Sequence, residues 1–340
     1  MVTDLGQNII AHAINNAGQI VGASIASDGS EQAFLWQSNS GITNLTNLPA
    51  GISSTAISIN NSGWVVGSSF DPNVGSSSFQ GFLWRPSLGL MTVDGTGGWI
   101  APQHINDQGA IAGEATMSAD AQSTMGVVWS VSNGPTLVIA GVHVVANVQQ
   151  INSQGQIVIS EAVSGDLFFQ NAGEEPITIG SAASALGIND SGVVVGSQLL
   201  SDGYAHAFLW KEQDGMQLIE GTVGFNSLAT GINDVGQIVG YEDLADGSRI
   251  GFLYQDGTLT NLNNLVDASG IGWSGLTPLG INGDGQIVGD GLLNGVLTGF
   301  LLTPAASPTT VFVPESATAG VLLLGGMVLL RRRTSAKNFK

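Results

Sequence analysis

The chain has 340 residues, of which 49 are glycine, and only 10% are charged while 43% are hydrophobic. This composition excludes ordinary disorder, which requires low hydrophobicity and high net charge. The absence of cysteine excludes disulfides, thiolate metal sites and cysteine catalysis. The formal net charge of −18 is uneven, because five of the eight basic residues lie within the last ten residues. Since the rest of the chain is strongly acidic, we expect no nucleic-acid partner.

Two short motifs repeat along the chain. The first, Ile-Asn-x-x-Gly, begins at Ile14, Ile59, Ile105, Ile151, Ile188, Ile232 and Ile281, with spacings of 45, 46, 46, 37, 44 and 49 residues. The second is an apolar segment such as AFLW, which ends at Trp36, Trp84, Trp129, Phe169, Trp210, Tyr254 and Leu302. Repeats of this length are typical of solenoids, propellers and arrays.

Each repeat predicts four short strands separated by glycine-containing turns, which is the content of one propeller blade. The chain opens with VTDLG, which has the pattern of a fourth strand, whereas the last repeat lacks a fourth strand. We therefore predict an all-β, seven-bladed β-propeller over residues 1–303, closed by the N-terminal strand. The fourth repeat is the shortest and most degenerate, with Ile159 in place of a glycine, so we expect it to form the poorest blade.

The repeated tryptophans and asparagines are expected to be structural. Tryptophan at one position of many repeats suits packing between blades, although an aromatic binding ring is an alternative. The asparagines suit tight turns, and their alternative role is calcium binding, because INGDG at Ile281 is similar to the calcium loops of integrin-type propellers. Six of the seven copies lack the second acid that such loops need. We therefore predict no metal site and no cofactor. The asparagines are Asn15, Asn60, Asn106, Asn152, Asn189, Asn233 and Asn282.

No familiar catalytic motif occurs in the sequence. The four histidines, His12, His104, His143 and His206, lie in different repeats and are expected to be ordinary strand residues. These observations predict that the chain is not an enzyme. Two alternatives stay open, a secreted polysaccharide-active enzyme that uses carboxylates in the propeller channel and a calcium-dependent adhesin. The longest loop, Ser68–Gln80, is either a tolerated insertion or a functional loop.

The C-terminal region has a different composition. A linker over 304–312 precedes the segment 313–340, in which an apolar stretch, Ala317–Leu330, predicts a single short hydrophobic helix. The flanking arginines should stay on the cytoplasmic side of a membrane, so the acidic region would lie across it. The motif before the helix is Val313, Pro314 and Glu315, and the cluster after it is Arg331, Arg332 and Arg333.

This tail resembles the PEP-CTERM sorting signal of bacteria with exosortase systems, with Ser316 in place of the usual second proline. Residues 1–303 resemble the HAF family of extracellular repeats, through VTDLG at Val2, the INxxGxIVG pattern and AFLW. The resemblance implies an exported protein that is tethered to the inner membrane in transit, is processed by an exosortase-type membrane protease, and then acts at the cell surface or outside the cell. Binding or scaffolding, with extracellular polysaccharide as a candidate partner, is the implied function.

Export requires a signal peptide, and the residues after Met1 do not form one. We therefore expect that an upstream segment has been lost from this sequence.

Overall fold

The computed structural model describes residues 1–304, apart from 47–50, 74–78, 95–98, 117–123, 133, 138–145, 163, 220, 222–224 and 267. The described residues belong to one compact unit, Met1–Ala305. The segment 313–340, most of the predicted linker and His143 lie outside the described residues, and with them the motif Val313, Pro314, Glu315 and the cluster Arg331, Arg332, Arg333. Within the part that is described, no helix is long and apolar enough to cross a membrane.

The described residues form 28 strands in seven four-stranded antiparallel sheets, which confirms the seven-bladed β-propeller. In each blade the first strand of the repeat is innermost, and its partners follow outward in chain order. Blade 1 contains β2 (Ile9–Ile14), β3 (Ile20–Ile25), β4 (Glu31–Gln37) and β5 (Gly41–Asn44), and blade 2 contains β6 (Ser53–Ile59), β7 (Val65–Phe70), β8 (Gln80–Arg85) and β9 (Gly89–Thr92). Blade 3 contains β10 (Ile100–Ile105), β11 (Ile111–Ala115), β12 (Met125–Ser130) and β13 (Gly134–Leu137), and blade 4 contains β14 (Ala146–Ile151), β15 (Ile157–Glu161), β16 (Asp166–Gln170) and β17 (Ile177–Ser181).

The remaining three blades follow the same plan. Blade 5 contains β18 (Ala183–Ile188), β19 (Val194–Leu199), β20 (Ala205–Lys211) and β21 (Gly215–Leu218). Blade 6 contains β22 (Ser227–Ile232), β23 (Ile238–Asp243), β24 (Arg249–Gln255) and β25 (Thr258–Asn261), and two 3-10 turns follow it, Leu262–Asn264 and Ala268–Gly270. Blade 7 contains β26 (Trp273–Ile281), β27 (Ile287–Leu293), β28 (Val296–Leu302) and the N-terminal strand β1 (Val2–Gln7).

The N-terminal strand closes the ring, as predicted. Strand β1 pairs antiparallel with β28, so that Val2 lies opposite Leu302 and Gln7 opposite Thr298. The Met1 amino group also donates to the Thr303 carbonyl at 3.0 Å. Because β1 occupies the outer position of the last blade, the first and last parts of the chain are joined by a hydrogen-bonded ladder and β28 is not left with an unpaired edge.

The hydrophobic core is divided among the interfaces between neighbouring blades. Trp129 and Trp210 are buried, while Trp36 and Trp84 pack against buried clusters, which confirms the packing role of the repeated tryptophan. In blade 4, Phe169 replaces tryptophan, is 1% exposed, and packs its ring 5.0 Å from that of Trp210. The expectation that blade 4 is the poorest blade is wrong, because this smaller aromatic ring still fills the interface and all four strands form.

A β-bulge interrupts each innermost strand two residues before its repeated isoleucine. Around the bulge, the backbone of the innermost strand comes very close to the second strand of the blade. A Cβ atom added to Gly22 would lie 1.9 Å from the Ile10 carbonyl oxygen, and one added to Gly196 would lie equally close to that of Ser184. This close approach explains the glycine that ends the repeated IVG sequence.

Candidate functional site at the two ends of the axial channel

The narrow end of the channel is lined by a ring of the seven repeated asparagines, which border a smaller cavity of about 210 Å³. Each side-chain Nδ2 donates to the backbone carbonyl of the equivalent asparagine in the next blade. The bonds run Asn15 to Asn60 (3.0 Å), Asn60 to Asn106 (3.0 Å), Asn106 to Asn152 (3.0 Å), Asn152 to Asn189 (2.9 Å), Asn189 to Asn233 (3.2 Å), Asn233 to Asn282 (2.9 Å) and Asn282 to Asn15 (3.0 Å). We call this set the asparagine ring.

Each asparagine also forms its own turn, which confirms the predicted role. The Asn15 Oδ1 accepts from the backbone N–H groups of Ala17 at 3.1 Å and Gln19 at 3.0 Å. The same residue type therefore shapes the hairpin and joins neighbouring blades, and buried polar groups of this kind are costly to leave without partners. The sequence predicted the turn but not the bond between blades.

The residues that follow the asparagine ring form further contacts between blades. The carboxylate of Asp107 accepts from the backbone N–H of Asn61 at 2.8 Å, and that of Asp190 accepts from Ser153 at 2.8 Å. In the INGDG turn, the Asn282 Oδ1 already accepts two backbone N–H groups, those of Asp284 and Gln286. Within the described part of the chain, no three histidine or acidic residues are placed to hold a metal ion. The polar side chains described here therefore form hydrogen bonds within the turns and between neighbouring blades.

The wide end of the channel contains a cavity of about 650 Å³, which we call the axial cavity. The β-bulge of each innermost strand places one side chain in its wall, so that every blade contributes one residue. These seven bulge residues are half-buried and differ from blade to blade. They are His12, Ile57, Gln103, Gln149, Leu186, Thr230 and Leu279. Bulges that redirect a side chain often occur beside functional sites.

The chemistry of the axial cavity is neutral and largely apolar. Phe79, His104 and Gln150 contribute to the wall beside the bulge residues, and the described lining contains no aspartate, glutamate, lysine or arginine. The described wall of this cavity therefore contains none of the carboxylates that the polysaccharide-active enzyme hypothesis requires. Such a surface suits an uncharged ligand, because a charged one would lose hydration without gaining a partner.

Two histidines line the axial cavity, and each ring has a different hydrogen-bond partner. His12 Nδ1 is 2.9 Å from the Ala56 carbonyl oxygen, which can only accept, so Nδ1 carries a proton; whenever the ring is neutral, Nε2 is its unprotonated nitrogen. Burial lowers the pKa of His104 to about 4, so this ring is neutral at pH 7. The Gln150 amide nitrogen lies 3.0 Å from His104 Nε2, which therefore accepts its hydrogen bond.

His12 and His104 are strand residues with hydrogen-bonded rings, as expected, and the structure adds that both line the axial cavity. His206 has a different place, where its Nε2 lies 2.8 Å from the exposed Asp202 carboxylate. A further carboxylate, Asp290, is half-buried behind the wall. Burial raises its pKa, and the charges of Arg249 and of His12 in its protonated form partly oppose that shift.

Sequence reasoning missed the bulge residues because it searched for what repeats. The position two residues before each isoleucine varies among His, Ile, Gln, Leu and Thr, while the isoleucine and the asparagine after it are the same in every repeat. This variation at a fixed position was the available signal. The loop Ser68–Gln80 also contributes, because Phe79 lines the axial cavity and packs its ring 5.3 Å from that of Trp99.

Comparison with protein-family models finds no match for this chain, and no curated protein matches it in sequence. Solved structures do match. A streptogramin B lyase has a TM-score of 0.57 at 10% identity, over 89% of this chain and 98% of its own. The β-propeller domain of the trilobed protease from Pyrococcus furiosus, which has an open velcro topology, has a TM-score of 0.58 at 10% identity, over 92% of this chain and 99% of its own. What these proteins share with the chain is the propeller fold.

The comparisons correct the prediction that the chain is not an enzyme. Beside the streptogramin B lyase, a puromycin hydrolase mutant complexed with PGG matches with a TM-score of 0.55 at 11% identity, over 84% of this chain and 50% of its own. The prediction is wrong because it rested on the absence of contiguous motifs. A propeller site is assembled from single residues of separate blades, as the axial cavity is here, so such a motif is not required.

Proposed function

We propose that this chain is an exported binding propeller that takes an uncharged ligand into the axial cavity. The observation that carries the proposal is the contrast within each innermost strand, where the bulge residue varies between blades while the asparagine at its end does not. Seven side chains of five residue types converge on one cavity and produce a surface with a defined pattern of polar and apolar groups. Binding sites of this kind are concave and mostly apolar, with a few placed polar groups.

The cellular setting of the proposal comes from the C-terminal segment. The Val313, Pro314 and Glu315 motif would be the address for an exosortase-type membrane protease, and Arg331, Arg332 and Arg333 would hold the apolar stretch at the inner membrane in transit. Extracellular polysaccharide is the proposed partner of the released propeller. Mass spectrometry of the protein from its native host tests this part. We expect a mature C-terminus within a few residues of Glu315, whereas intact protein ending at Lys340 would contradict processing.

Blocking the axial cavity tests the binding function. Tryptophan in place of Ile57 adds a large side chain to the wall, and Leu90→Trp on the exposed outer strand β9 is the matched control. Exopolysaccharide from the native host is mixed with each variant and sedimented. We expect the control to sediment with the polysaccharide as the unaltered protein does, and Ile57→Trp to stay in solution. Equal sedimentation of all three would show that the polysaccharide does not enter the axial cavity.

Acid–base catalysis on the bound ligand is a second candidate, and one observation favours it. The Ala56 carbonyl holds the proton of His12 on Nδ1, which leaves Nε2 as an available base in the wall of the axial cavity. A group held in this way has a fixed tautomer and orientation. The test is ligand turnover by the unaltered protein and by His12→Gln. If binding continues and turnover stops in the variant, His12 is the base; if turnover is unchanged, it is not.

A further inference from the structure

Most polar bulge residues use their hydrogen bonds to join blades. His12 Nδ1 donates to the Ala56 carbonyl at 2.9 Å, and Thr230 Oγ1 donates to that of Pro278 at 2.7 Å. In both cases the acceptor stands one residue before the bulge of the next blade. These side chains therefore form a second set of contacts between blades, above the asparagine ring.

Two amides in the axial cavity keep hydrogen-bonding groups that no other described residue uses, although Gln149 also joins two blades. Gln103 makes no side-chain hydrogen bond to another described residue, although it is half-buried in the wall. Gln149 accepts from the Ala185 backbone N–H through Oε1 at 2.8 Å, and its Nε2 donates to no described residue. The two lie on the neighbouring blades 3 and 4, which leaves one acceptor and two amide donor groups together on one side of the cavity. We call Gln103 and Gln149 the amide pair.

The surroundings of the amide pair are apolar. Leu186 and Ile57 stand on the blades that flank it, and Leu279 belongs to blade 7, across the sevenfold ring. The ring of Phe79 lines the same cavity and is supported by Trp99. A ligand here meets the amide pair along one edge and apolar side chains beside it and across the cavity, while His12 and Thr230 are the polar bulge residues of the opposite wall.

We propose that the amide pair determines ligand specificity and that the ligand is an uncharged pyranose unit of a glycan. This inference rests on the proposed binding function. A pyranose has hydroxyl groups along its edge that both donate and accept, as amides do, and C–H faces that pack on aromatic and aliphatic side chains. The absence of charged groups in the described lining disfavours uronic acids and the charged termini of peptides.

Binding of defined sugars by the full chain tests this assignment. Isothermal titration is carried out with neutral tetrasaccharides of glucose, galactose and mannose, with a tetrasaccharide of galacturonic acid, and with acetylated, amidated dipeptides. The variants are Gln103→Met and Gln149→Met, which keep side-chain length but remove the amide. The matched control is Gln154→Met, at an exposed position in a turn of the narrow end. We expect at least one neutral sugar to bind, and each amide-pair variant to weaken it about tenfold, the loss expected for one buried hydrogen bond.

The outcomes separate this inference from the proposed function. Sugar binding that is equal in the amide-pair variants and in Gln154→Met would overturn the role of the amide pair. Preference for the galacturonic acid tetrasaccharide would overturn the uncharged class. Binding of the dipeptides but of no sugar, with loss of that binding in Ile57→Trp, would leave the axial cavity as a binding site and overturn the glycan. If no compound in either set binds, the inference and the proposed function both fail.

Discussion

The two ends of the axial channel are built by the same seven strands but follow opposite rules. At the narrow end every blade supplies the same asparagine, and each side chain is engaged in the asparagine ring. At the wide end every blade supplies a bulge residue, and these differ in size and polarity. Identity across repeats therefore marks the positions that the fold needs, whereas variation at a fixed position marks the surface that is free to bind.

The largest effect is expected where the second strand of a blade approaches the bulged strand most closely. Alanine in place of Gly196 puts a Cβ atom 1.9 Å from the Ser184 carbonyl oxygen, and both backbones would have to move. We expect the free energy of unfolding in urea to fall by about 3 kcal/mol or more. The control is Gly203→Ala, which meets no atom within 4 Å and carries only the cost of a positive φ of 88°, about 1 kcal/mol. Equal losses in the two variants would contradict the close approach.

The asparagine ring should come next. Asn60→Ala leaves the backbone N–H groups of Ser62 and Trp64 and the Asn106 carbonyl without their side-chain partner. We expect a loss of about 2–3 kcal/mol in urea unfolding, because buried polar groups lose their hydrogen bonds. Gln103→Ala at the wide end should change stability by no more than about 0.5 kcal/mol. If Asn60→Ala is as stable as Gln103→Ala, the narrow end is no more important for stability than the wide end.

The buried imidazole of His104 predicts a pH dependence of stability. Its folded pKa of about 4 lies below the ordinary value of 6.5, so the unfolded chain binds a proton more readily between these values. Stability therefore rises with pH through this window, and we expect a loss of about 2 kcal/mol between pH 7 and pH 5 from this residue. His104→Gln should lack this component, which is measured as the difference between the two unfolding curves at each pH. Parallel pH profiles would show that the ring is not buried in its neutral form.

A small effect is also expected at an apolar bulge residue. Leu186→Thr introduces the residue type that blade 6 already carries at this position, Thr230. We expect a loss of about 1 kcal/mol or less, since the side chain is half-buried and borders the axial cavity. The same variant should change ligand affinity by more than it changes stability. If stability falls as far as in Asn60→Ala, the wide end is as constrained as the narrow end.

The sequence was sufficient for the architecture, because the fold depends on local chemistry that repeats. The Asn-x-x-Gly turns, the glycine at the third position of the second strand in six blades and the fourth-strand pattern at VTDLG each encode one feature of a blade or its closure. The bond between blades made by each asparagine could not be predicted, since it depends on how neighbouring blades pack. The inward direction of His12 and Gln103 depends on a β-bulge, and a bulge shifts the alternation of side chains in a way that no periodic pattern reveals.

The degenerate fourth repeat shows that the sequence motif can change while the blade still forms. Its sequence departs from the motif at Ile159 and at DLFF, yet Phe169 fills the position of the tryptophan and the blade is complete. Packing at the interface depends on apolar volume more than on residue identity, so a change of motif did not mean a loss of structure.

Hydrogen–deuterium exchange with and without a bound neutral tetrasaccharide distinguishes a binding end of the channel from a structural end, because it reports on both ends in one experiment. We expect slower exchange on binding in the inner-strand peptides that contain Gln103, Gln149 and Leu186. We expect unchanged exchange in the turns that follow Asn60 and Asn189. Slower exchange at the asparagine turns, with no change around the bulge residues, would place the ligand at the narrow end and contradict the division of the channel into a structural end and a binding end.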